Sequence, residues 1–66
     1  MTPTQAAAVA LLPTLEDSRG DAWRNAEHIA RDLGDAHPAT LQAFADAERF
    51  DDAVTAIRTI RDEANA

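Results

Sequence analysis

The chain has 66 residues, a formal net charge of −6 and no Cys, so it makes one small domain (residues 1–66) with no disulfide or cysteine-based metal site to staple it. Sixteen Ala, twelve carboxylates and six Arg, with no Lys or Tyr, suit short, closely packed helices under an acidic skin. Acidic balance repels nucleic-acid phosphates and anionic membranes, and no apolar run approaches the length of a membrane span.

A first helix is predicted from Thr2 to Leu12. Thr2 and Gln5 have capping-box spacing, and Pro3 sits where a helix start tolerates it. Val9, Leu12 and Leu15 share a face, and Pro13 breaks or kinks the pattern. A second helix is predicted to start at Ser18–Asp21, read as a capping pair. It carries the apolar stripe Ala22, Trp23, Ala26, Ile29, Ala30 and Leu33, with Arg24, Glu27, His28, Arg31 and Asp32 on its other side. Gly34 is its stop signal. Asp35–His37 connects to a third helix that opens at Pro38, with His37 as a local cap.

Between Pro38 and Ala64 there is no Gly or Pro. Counting about 100° per residue, Leu41, Phe44 and Ala45 centre on one direction, while Phe50, Ala53, Val54, Ile57 and Ile60 centre roughly 150° away. Either the chain turns near Glu48–Asp52, with Asp51 capping a fourth helix, or one long helix lies between two partners. The phase favours the turn.

Residues that do chemistry are sparse. His28 lies on a polar helix face and His37 in a connector, which does not supply the three or four converging ligands a metal needs. Ser18 is the only serine and reads as a cap. The pairs Glu16-Asp17, Asp51-Asp52 and Asp62-Glu63 are adjacent in sequence, so on a helix they point apart and do not face each other across a cleft. No catalytic residue, cofactor or metal is expected.

Ile29-Ala30-Arg31-Asp32-Leu33-Gly34 followed by Pro38-Ala39-Thr40-Leu41 resembles the core of bacterial helix-turn-helix regulators. The resemblance implies residues 29–34 as the supporting helix and 38–48 as the recognition helix in the DNA major groove, with Thr40, Gln42 and Arg49 as the DNA-binding candidates. Asp46 and Glu48 leave Arg49 as the one basic side chain of that segment, which offers little to phosphates. The stretch Ala47–Val54 resembles the turn of a tetratricopeptide helix pair, which implies a tight helical hairpin there.

The expected fold is all-α: a compact bundle of three to four short helices, with self-association as one route to completing a small core. The expected role is a non-enzymatic, cytoplasmic module that binds a protein partner or a second copy of itself. Val9, Leu12, Leu15 and Trp23 are the candidate partner-binding residues. DNA-binding regulation is the alternative.

Overall fold

The computed structural model describes residues 1–65 and contains three α-helices: α1, Pro3–Ala10; α2, Leu12–Leu33; and α3, Pro38–Ala64. The described residues contain no strand, and the helices pack on one another as a small all-α bundle.

α1 opens with the predicted capping box. The Thr2 Oγ1 accepts from the Gln5 N–H at 3.1 Å, and the Gln5 Oε1 accepts from the Thr2 N–H at 2.9 Å. The helix ends at Ala10, short of Leu12, because Pro13 has no N–H to offer the Val9 carbonyl. Pro13 sits instead in the first turn of α2, where no N–H is missed, and the Leu15 N–H bonds the Leu11 carbonyl at 3.0 Å to start the new ladder. Ser18 and Asp21 therefore lie inside α2 and do not start a helix, a correction to the sequence reading. Once Pro13 has found a place in the first turn, nothing between it and Gly34 interrupts the ladder.

α2 stops where predicted. Gly34 has φ 89°, a backbone state that costs any residue with a Cβ. Its carbonyl accepts from the Thr40 Oγ1 at 2.7 Å, and Thr40 is fully buried at this corner. The His37 Nδ1 accepts from the Ala39 N–H at 3.0 Å, so His37 caps α3 as expected.

α3 runs unbroken for 27 residues. The turn near Glu48–Asp52 does not form, the tetratricopeptide-like segment is helical, and Asp51 is not a cap. Two facts account for the error. Leu41 and Ala45 are not core residues, and Leu41 is 59% exposed. The residues that α3 buries fully are Thr40, Ala47 and Val54, a line at heptad spacing that drifts only slowly around a helix. Leu12 and Ala26 are the buried residues of α2 and share the same period.

α2 and α3 form an antiparallel hairpin. Trp23 meets Asp51 and Glu16 meets Arg58, so one heptad backwards along α2 is one heptad forwards along α3. The same register brings Ala26 to within one residue of the level of Ala47. Both are fully buried, and two methyl groups let the backbones approach closely. α1 folds against the open end of the hairpin. There Ile57 and Ile60 are half-buried while Thr55, Thr59 and Asp62 on the opposite flank are exposed, which puts α1 on the isoleucine side. The body measures 44 × 17 × 15 Å, with a radius of gyration of 14.7 Å against about 11 Å for a rounded chain of this length. It is a rod with a core one layer thick.

Candidate interaction surface

The α2–α3 seam has two flanks, and the sequence finishes them differently. At about 100° per residue, Glu16, Trp23 and Ala30 of α2 and Phe44, Asp51 and Arg58 of α3 fall on one flank. Leu15, Ala22 and Ile29 of α2 and Ala43, Phe50 and Ile57 of α3 fall on the other.

The first flank is tied across the seam. The Trp23 Nε1–H donates to the Asp51 Oδ1 at 3.0 Å, and the Arg19 Nε lies 3.7 Å from the same oxygen. The Arg58 Nη2 lies 3.5 Å from the Glu16 Oε1. The Trp23 and Phe44 rings pack with centroids 5.7 Å apart and planes tilted by 58°. The ion pairs are partly exposed and each contributes little, but together these contacts fix the register.

The second flank is apolar and, beyond the Ile57–Ile60 end where α1 packs, open. Along α2 it reads Leu15, Ser18, Ala22, Asn25 and Ile29, without charge until the next step of three reaches Asp32; Leu33, 51% exposed, ends the buried line of Leu12 and Ala26 instead. Along α3 it reads Ala43, Asp46, Phe50, Ala53, Ile57 and Ile60, with one charge. Both rows advance in alternating steps of three and four, the spacing of a helix that packs on another helix. Leu15, Phe50 and Ala53, rimmed by Asp46 and Arg49, line a shallow groove beside α1. A second depression, over Gly20, is lined by Glu16, Asp17, Asp21 and Arg24 on the outer face of α2.

The expected docking residues are scattered by this arrangement. Leu12 is 5% exposed and belongs to the core at the α1–α2 corner. Val9 is half-buried on α1, and Trp23 is held by Asp51 and Phe44 on the polar flank. Leu15 alone borders the open groove. Phe50, Ala53, Ala22 and Ile29 were not assigned to a surface in the sequence reading. Their three-four spacing in each row was the signal that could have found them.

Of the DNA-binding candidates, Thr40 is fully buried and bonded to Gly34. The Gln42 Nε2 donates to the Asp46 Oδ1 at 3.0 Å, and the Arg49 Nη1 lies 3.7 Å from the same oxygen. The His28 Nε2 lies 3.5 Å from Asp32 on an exposed helix face, and His37 is occupied as a cap. Among the described residues no three His, Asp or Glu side chains gather where a metal ion could sit, and no helix is long and apolar enough to cross a membrane. Comparison with protein-family models, with curated proteins and with solved structures finds no match for this chain.

Proposed function

We propose that this chain is a small non-catalytic module that binds a protein through the apolar flank of its α2–α3 hairpin. The observation that carries the reading is the contrast between flanks: one is closed by Trp23, Asp51, Glu16 and Arg58, and the other leaves Leu15, Ala22, Ile29 and Phe50 part-exposed in rows with few charges. An apolar surface rimmed by polar residues is the usual mark of a protein contact. The cysteine-free composition suits a cytoplasmic setting.

Geometry weighs against the DNA reading. A helix-turn-helix pair crosses at about 90–120° and frees its second helix for the groove. Here α2 and α3 stay in contact from the Gly34–Thr40 corner to the Glu16–Arg58 pair, and Asp46 holds both Gln42 and Arg49.

A photocrosslinking residue placed at Ile29, and separately at Glu27 on the same helix, tests the proposal in cells expressing the chain. Position 29 is expected to give discrete protein adducts that position 27 does not. Equal labelling at both positions would remove the flank as a docking site. Titration of a fluorescent random duplex at low salt tests the alternative: saturable binding that falls steeply as salt rises would favour DNA.

A further inference from the structure

We infer that the occupant of the apolar flank is a second copy of this chain, two hairpins pairing flank to flank into one helical body. The inference rests on the docking reading above and supplies its partner.

Surface area is the first reason. The chain exposes 4563 Å². A folded monomer of its 7.1 kDa mass exposes about 4,100 Å², so the excess is roughly 450 Å² per chain. Hiding that excess on two copies removes about 900 Å², the size of a weak, concentration-dependent pair just under the roughly 1,000 Å² of a stable interface. The flank itself is comparable in size with the excess. From Leu15 to Ile29 it runs about 21 Å at 1.5 Å per residue, along a body 17 Å wide, and side-chain relief raises its accessible area above that flat projection of about 360 Å².

Spacing is the second reason. Each helix uses one heptad seam inside the chain and carries another beside it, sharing Leu15, Ala22 and Ile29 on α2 and Ala43, Phe50 and Ile57 on α3. Helices in a four-helix arrangement need two such adjacent seams, one for each neighbour. An identical hairpin supplies rows of matching period. Asn25, midway along the α2 row, is the type of residue that selects one register when placed in such a seam.

Charge is the third reason. Each chain carries −6, yet the flank holds only Asp32, at the end of the α2 row, and Asp46, paired with Arg49, so most of that charge lies outside the contact. Repulsion then acts from the outer faces, where salt screens it. Pairing should tighten as salt rises, whereas a basic partner held by charge would loosen.

Sedimentation equilibrium over a range of protein and salt concentrations tests the inference on the whole chain and three variants, with far-UV circular dichroism to confirm folding. Wild type is expected at twice 7.1 kDa, more fully dimeric in high salt. Phe50→Asp is expected to weaken association by about 30-fold or more, the loss of one central anchor. Ala22→Arg, on the other helix and incompletely buried, asks the same question if Phe50→Asp fails to fold. Leu41→Asp, on the closed flank, should leave the mass unchanged. A wild-type monomer at every concentration overturns the inference. So does a dimer that survives both flank variants, or one that loosens with salt. Binding of the apolar dye ANS separates the two levels: a monomer whose flank binds dye loses only the second copy, and a monomer that binds none loses the docking reading as well.

Discussion

On one flank of the hairpin, Trp23, Arg19 and Asp51 meet across the seam and Glu16 reaches Arg58. On the other, Leu15, Ala22, Ile29 and Phe50 meet nothing comparable and stay half-exposed. Both flanks come from the same two helices in the same register. The difference lies only in which residues fall one step to either side of the buried line. Polar side chains with directional groups can close a flank from within the chain. Small and aliphatic side chains on a two-helix layer cannot, because α1 covers only the Ile57–Ile60 end and no third layer lies over the rest. That is the route by which a chain of 66 residues ends with a one-sided apolar surface.

The line between the flanks is where that comparison can be broken most severely. Ala26 and Ala47 are both fully buried where the helices approach. Ala47→Leu puts three more carbons into a gap built for methyl groups, and overpacking of this type costs up to about 3 kcal/mol. A chain of this length has roughly 3–10 kcal/mol of total stability, so the variant is expected to lose from a third of it up to nearly all and to show a much lower urea midpoint. Urea titration followed by far-UV circular dichroism reads it. An unchanged midpoint would mean that the two alanines do not face each other and that the register is different.

A smaller effect is expected on the closed flank. Asp51→Ala removes the acceptor of the Trp23 indole N–H and the partner of Arg19. Most of the loss is the hydrogen bond, about 1 kcal/mol, since the ion pair is partly exposed and screened. Trp23 is the chain's one tryptophan, so its emission reports the change directly and should move to longer wavelength as water reaches the indole. The flank assignment requires the dimer mass to persist in this variant. A loss of dimer with no change in helix content would mean that the closed flank is the interface.

Much of the fold was legible in the sequence because its signals are local. The Thr2–Gln5 box, Pro13, Gly34 and the His37–Pro38 start each act within one turn, and each does in the structure what its chemistry predicts. Ser18 and Asp51 were misread for the opposite reason. A residue with cap chemistry caps only if the helix begins there, and that depends on the ladder before it. The unbroken α3 was hidden by a count that gave every apolar residue equal weight. Leu41 is exposed, while Thr40 and Ala47, small or polar, are buried. The open flank was obscured in the same way. Its α2 row mixes Leu15 and Ile29 with Ser18, Ala22 and Asn25, so it is marked by absence of charge more than by hydrophobicity. Only the placement of α3 beside α2 shows that two such rows lie together.

Gly20 gives the smallest effect and the cleanest separation of folding from pairing. It sits inside α2, where glycine costs about 1 kcal/mol relative to alanine through the extra freedom of the unfolded chain. Its helical backbone needs no positive φ, unlike that of Gly34. A Cβ built there meets the Arg24 guanidinium at 3.5 Å, an ordinary contact with the mobile end of a long side chain. Gly20→Ala is therefore expected to stabilise the chain by about 0.5–1 kcal/mol, read as a higher urea midpoint at unchanged slope. Gly20 lies on the outer side of α2 away from the open flank, so the dissociation constant of the pair should not move. If the gain in stability grew with protein concentration, the substitution would be acting on association. The helix face around Gly20, lined by Glu16, Asp17, Asp21 and Arg24, would then have to be counted as part of the interface.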